Sequence, residues 1–353
     1  MRSAPPAMEA VAAVTQRLAV LLAAGVPPQA VWRYLDAATA SKQGGSGATV
    51  GHGSAGHELG AVGNRMTNPT AAVIGAAERA GALGEGIADA IASAATEAVA
   101  AATPRGSRSA RREGIARAWL ALAAAWAVAT ESGAPLAACL RELAASFRAQ
   151  AQLERDLEVA LAGPRATARL VGAMPAIGVL FGSIMGFNTV ETLFTTVPGL
   201  LCLATGSALM LSGARWSGAL VRRAGADPGV PGLSIELTAI AMSGGASTER
   251  ARELARTAMA RYSGTEAPRR AVDDLIVEAV LALSRRAGVP AVELLRSEAE
   301  GMRLDARSDG QRRAARLAVA LMIPLGLCVL PAFMLLGVAP LLLAVVSSTF
   351  AGF

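Results

Sequence analysis

Residues 119–148 read WLALAAAWAVATESGAPLAACLRELAASFR. One alanine- and leucine-rich run stops at Gly133 and a second starts at Pro135. Glycine takes the left-handed conformation that closes a helix, and proline opens the next one, where its missing N–H costs nothing. After the break, Leu136, Cys139, Leu140, Leu143 and Phe147 recur at i, i+3, i+4, i+7 and i+11. That is the spacing of one apolar helix face. The stretch predicts a helical hairpin, and such hairpins bury their faces on one another in a bundle.

Outward from this stretch the pattern repeats. Residues 17–38 break at Gly25 and Pro27, and residues 275–303 break at Gly288 and Pro290. Residues 233–259 form a looser copy around Gly244, Gly245 and Ser247. Helix, small-residue break, helix is therefore an internal repeat. Composition agrees. Hydrophobic residues make up 53% of the 353, aromatics only 4%, and mean hydropathy is +0.43. Ala and Leu favour helix and strand formers are scarce, so the expected class is an all-α membrane protein.

Three stretches carry no charge: Leu170 to Val190, Thr192 to Ala214, and Leu317 to Phe353. A crossing needs about 20 apolar residues. The first two predict a membrane hairpin with Glu191 in its turn. The third, with Pro324, Pro331 and Pro340, predicts one kinked span with an apolar tail, with a tight re-entrant pair as the alternative. Arg165 and Arg169 precede the first span, Arg215, Arg222 and Arg223 follow the second, and Arg307, Arg312, Arg313 and Arg316 precede the third. The positive-inside rule puts all these flanks, and the N-terminus, in the cytosol. The expected layout is a cytosolic helical domain at 1–169 with a flexible Gly/Ser-rich linker at 41–65, a transmembrane hairpin at 170–214, a shorter cytosolic helical domain at 215–316, and a transmembrane segment at 317–353. Gly178, Gly182 and Gly186 form a small-residue stripe on the first span, and Gly199, Gly206 and Gly213 form another on the second. Such stripes let helix backbones approach closely.

Several chemistries lack their residues. No charged residue lies inside a span, which weighs against a proton-coupled pump. Cys139, Cys202 and Cys328 are too far apart for ligand or redox spacing, and His52 and His57 have no acid or cysteine cluster beside them. No metal and no cofactor is expected. There is no GxxxxGK[ST] phosphate loop, GxSxG elbow or HExxH pair. The net charge is +6, with Lys42 the sole lysine. Because the arginines cluster beside apolar spans, no nucleic-acid partner is expected. The basic run from Arg105 to Arg117, with Arg108, Arg111 and Arg112 at its centre, reads as a solvated helix start or as a docking patch for an acidic partner or lipid headgroups.

The repeats and their order around the spans resemble the type II secretion F family. AAERAGALGEGIADAI, residues 76–91, is similar to that family's acidic-glycine-leucine motif, with Glu78, Gly81 and Leu83 in the matching positions. LAGPRATARLVGAMPAIGVLFG resembles the B subunit of tight-adherence (Flp) pilus platforms, and PLGLCVLPAFMLLGV resembles the C subunit. The chain thus looks like both subunit types joined, without a second copy of the acidic-glycine-leucine motif. The resemblance implies a non-enzymatic inner-membrane platform. Its implied partners are a cytosolic motor ATPase, a pilin or pseudopilin, other platform subunits or a second copy, and membrane lipid. The competing reading is a small-molecule permease or a membrane enzyme, which would need polar or catalytic residues inside the spans.

Overall fold

The computed structural model describes residues 7–44, 69–100, 107–184, 196–224, 230–263 and 267–340, with 194 and 342. Every regular element among them is helical, as composition predicts. The elements are α1 Ala7–Ala23, α2 Val31–Gly44, α3 Pro69–Leu83, α4 Ile87–Ala100, α5 Ser107–Ser132, α6 Leu136–Ile184, α7 Val197–Ala224, α8 Leu233–Ser243, α9 Thr248–Ala258, α10 Ala267–Ala287 and α11 Ala291–Ala320. A π turn, Met259–Ser263, extends α9. Beyond α11 come the short helical pieces Met322–Pro324 and Leu330–Phe333 and the π turns Leu325–Val329 and Met334–Val338. Pro331 has no N–H to give the ladder, and its ring displaces the carbonyl four residues back, so the chain widens there rather than continuing as regular α-helix.

The chain divides into two compact units. One comprises residues 1–154 and 228–307, the other residues 155–227 and 308–353. In the first unit α1 packs on α2 and α5, α3 on α2 and α4, and α4 on α5, and Cys139, Leu140, Leu143 and Phe147 of α6 join the same core. Trp32, Trp119, Phe147, Leu18, Ile74, Ile91, Leu122, Leu140 and Leu143 are fully buried there. Each such aliphatic side chain contributes roughly 1.5–3 kcal/mol by leaving water.

Helix α8 packs on α5, and α9 follows it onto the same helix. The sequence reading assigns 1–169 and 215–316 to separate domains, whereas residues 1–154 and 228–307 fall in one compact unit and α8 and α9 join the core of the earlier helices. The sequence of α8 accounts for this. LSIELTAIAMS is apolar nearly all round, and its buried residues run from Leu233 through Ala241. A helix apolar on every side must be enclosed. Leu233, Leu237, Ile240 and Ala241 join the core of the first three hairpins. Ile235 and Ala239, on the opposite face, join a second cluster with Val277, Val280 and Leu281 of α10 and Leu295 and Ala299 of α11.

The other unit holds the apolar helices. Among the described residues, two helical segments are long and apolar enough to cross a membrane: Val197–Val221 and Ala291–Val338, with mean hydropathies of 1.5 and 2.5. The expected first span lies on the last part of α6, where Leu170, Met174, Ile177, Phe181 and Ile184 are exposed along one face. Its continuation and the turn at Asn188 lie outside the described residues. The glycine stripe of α7 has a partner. A methyl group at Gly206 would meet Leu336 Cγ at 2.5 Å, and one at Gly213 would meet Cys328 Cβ at 3.0 Å. Close approach through small residues thus joins α7 to the C-terminal segment. Gly178 and Gly182 lie on α6, but their surroundings, like Gly186 itself, fall outside the description.

Candidate functional site

Each hairpin of the first unit turns on a left-handed glycine. Gly25 has φ +89° and Gly133 has φ +74°. In the helix-closing arrangement of such caps, Val26 N–H donates to Leu21 O at 3.1 Å and Ala134 N–H to Ala129 O at 2.9 Å. Pro27 and Pro135 then start the next helices, accepting from Val31 N and Cys139 N at 3.1 and 3.2 Å. Gly288 has φ +69°, and Leu294 N–H donates to Pro290 O at 3.4 Å.

One further hairpin has no proline to announce it. α3 and α4 are joined through Gly84, at φ +72°, with Glu85 N–H donating to Ala80 O at 2.8 Å. This is the stretch read as the acidic-glycine-leucine motif, and its residues have separate roles. Gly81 is fixed by packing. A methyl group there would lie 2.4 Å from the Gln29 carbonyl oxygen, so only glycine lets α3 abut the turn after Gly25. Glu78 is half-buried, and Leu83 is 71% exposed at the helix end. A second turn-to-turn contact involves Gly244, where a methyl group would sit 2.3 Å from Ser132 O, beside Gly133.

These turns surround an open cleft of about 460 Å³. Pro28 and Gln29 come from the first turn, Gly84 to Asp89 from the second, Trp126, Ala127, Thr130 and Glu131 from the end of α5, and Tyr262 from the π turn after α9. Trp126 packs against buried Trp32, ring centroids 5.4 Å apart and planes tilted by 50°, and supplies an apolar floor. Asp89 ties the wall together. Its Oδ1 accepts from the Tyr262 hydroxyl at 2.8 Å and its Oδ2 from Arg261 at 2.9 Å. Burial, and then the hydrogen bond to Asp89, push the Tyr262 phenol up to about 12. Glu131, on the rim, pairs with Arg250 at 2.6 Å. The lining contains no cysteine, serine, histidine or lysine.

A polar seam lies elsewhere in the same unit. Glu236 of α8, 3% exposed, is ion-paired with Arg303 of α11. Glu142 of α6 stands 3.3 Å from Arg296 Nε, without hydrogen-bond alignment. Burial raises the Glu142 carboxyl above its usual range, with Arg296 and Arg303 opposing. Burial, then Glu142, push the neighbouring Cys139 thiol up to about 11, so it remains a neutral thiol at ordinary pH.

Of the other predicted positions, Arg112 is exposed on α5. Arg108 and Arg111 lie on the same helix, their side chains outside the description, as are Arg105, His52 and His57. No cluster of metal-ligating side chains occurs among the described residues. Trp126, Asp89, Tyr262 and Gly84 were not singled out by the sequence. Gly84-Glu85-Gly86 was the available signal for the unannounced turn.

Comparison with known families now bears on this fold. Residues 68–184 match the family described as Type II secretion system (T2SS), protein F. This match supports the type II secretion F family. The matched segment runs from the start of α3 to the end of α6 and so contains the Gly84 turn, the Gly133 turn and the apolar end of α6. Neither curated proteins nor solved structures yield a match. Proteins of the F family are inner-membrane proteins, in keeping with the apolar helices of the second unit.

Proposed function

We propose that the chain is an inner-membrane platform of a bacterial secretion or pilus machine of the tight-adherence (Flp) type, with B-like and C-like halves in one polypeptide. In this reading it has no enzymatic activity of its own. It binds a cytosolic motor ATPase and passes the motor's motion to pilin or pseudopilin subunits in the membrane. The carrying observation is the F-family match over 68–184, which contains the Gly84 turn and the end of α5 on the cleft wall and ends on an apolar helix. The arginine flanks orient both hairpin segments and the N-terminus to the cytosol.

The test is capture of the purified motor ATPase by full-length protein in detergent, at low and high salt, with nucleotide hydrolysis by the platform alone as the control. Retention of the ATPase and no hydrolysis by the platform alone are expected. Failure to retain it by a well-folded sample overturns the motor reading. Two variants locate the contact. Reversal of Arg108, Arg111 and Arg112 to Glu slows association if the basic run is the docking patch. Trp126→Ala with Glu85→Arg weakens retention if the cleft is.

A further inference from the structure

We infer that Pro331 and Pro340 set the register of the C-terminal segment against α7, and that the segment is a two-position element which these prolines hold in one position. Gly206 and Gly213 of α7 face Leu336 and Cys328 of the segment. On an α-helix each residue turns the chain by about 100°. The two glycines, seven residues apart, therefore lie within about 20° of one face. Cys328 and Leu336 are eight apart and would diverge by about 80° on a regular helix. One of them would then leave its glycine. If the segment takes up one extra residue between them, eight residues cover the turn of seven and both contacts are kept.

The π turns supply that residue. A π turn closes its hydrogen bond over five residues instead of four. Ala339 N–H donates to Met334 O, the bond that closes the second turn. Cys328 lies inside the turn Leu325–Val329 and Leu336 inside Met334–Val338. Part of each turn falls between the two contacts, and the parts together absorb about one residue. The prolines account for where the turns stand. A proline within a helix gives no bond to the carbonyl four residues back and pushes that carbonyl aside. Four residues before Pro331 is Leu327, the middle of the first turn, and four before Pro340 is Leu336, the middle of the second. Pro324 obeys the same rule, since α11 ends at Ala320. Losing the absorbed residue would turn the part beyond it by about 100°. Leu335 would then face Gly206 in place of Leu336, one leucine for another. The inference does not rest on the motor reading.

The experiment reads the register in full-length protein in detergent. In a chain with Cys139, Cys202 and Cys328 replaced by alanine, Gly206→Cys is combined with Leu335→Cys or with Leu336→Cys, and disulfide formation is followed under mild oxidation. A disulfide needs Cβ atoms about 3.5–4.5 Å apart, so a turn of one residue decides which pair reacts. With both prolines in place, the Leu336→Cys chain is expected to react faster. With Pro331→Ala and Pro340→Ala, the preference is expected to move to Leu335→Cys. Deleting Met334, an exposed residue between the two contacts, then shortens eight residues to seven and is expected to return the preference to Leu336→Cys. Thermal unfolding without the added cysteines gives a second reading. The proline-free chain is expected to melt below the wild type, and deletion of Met334 to raise it again, whereas the same deletion with the prolines present lowers the melting temperature. Prolines that only bend the segment would give no such rescue. Faster reaction of Leu335→Cys in the proline-bearing chain, an unchanged preference in the proline-free chain, no disulfide at either position, or a deletion that harms both backgrounds alike would each overturn the proposal.

Discussion

Residues 7–154 and 230–307 are built from the same local unit and end in different surroundings. Both consist of helix pairs turned on left-handed glycines. In the first, the α3/α4 hairpin lies between α2 and α5. In the second, α8 is enclosed, while α10 covers only the side that holds Val277, Val280 and Leu281. A Gly-x-Pro break therefore specifies where the chain reverses. Which faces are covered depends on the hairpin's place in the stack, and the outermost helix inherits whatever its sequence leaves uncovered.

The largest expected effect contrasts two leucines of the second segment. Leu237 is fully buried on α8 and Leu275 is 69% exposed on α10. Leu237→Ala should lose about 2–5 kcal/mol of stability, the cost of a buried leucine plus the cavity it leaves. Leu275→Ala should lose under about 0.5 kcal/mol. Chemical unfolding in detergent measures both. Equal losses would mean that α8 does not join the two segments.

A smaller contrast separates two glycines on α3, inside the family-matched segment. Gly81→Ala drives a methyl group to 2.4 Å from a backbone carbonyl that cannot rotate away, whereas Gly75→Ala meets nothing within 4 Å. The first should cost roughly 1–3 kcal/mol as overpacking. The second should gain several tenths, because alanine is the better helix former. Thermal unfolding of the pair decides it. A neutral Gly81→Ala would show that the contact between α3 and the first turn gives way easily.

Local signals were legible and long-range ones were not. Gly25/Pro27, Gly133/Pro135 and Gly288/Pro290 located hairpins because cap and helix start lie within three residues of each other. The turn at Gly84 went unread as a hairpin because no proline follows it, although Gly84-Glu85-Gly86 stands in the sequence. The all-round apolar character of α8 was present too, but nothing local says that it packs on α5, more than a hundred residues earlier. For the same reason the sequence suggested two cytosolic domains where α8 and α9 join the core of the earlier helices. The cleft was illegible because each side brings only a fragment: Asp89 and Tyr262 are 173 residues apart. The α7 stripe was visible as a period of seven, whereas its partner on the C-terminal segment required the fold.

The join between the two segments can also be titrated, with the smallest expected effect. Tyr262 follows α9 in the second segment and donates to Asp89 of α4 in the first. The phenol ordinarily ionises near 10, and in the folded chain it is held to about 12. The folded state therefore keeps a proton that the unfolded chain surrenders first. Stability from this contact is fully present below about pH 10 and falls as pH rises from there to about 12, because the unfolded state binds fewer protons in that window. The physical reason is that a phenolate has nothing to donate and would face the Asp89 carboxylate. At pH 8, Tyr262→Phe should cost about 1 kcal/mol, the net worth of one hydrogen bond. Between pH 10 and 12 the wild type should lose stability faster than the variant, so that the gap between them narrows. Melting temperatures at closely spaced pH values give the two slopes. Parallel slopes would show that the Tyr262–Asp89 contact does not hold the segments together.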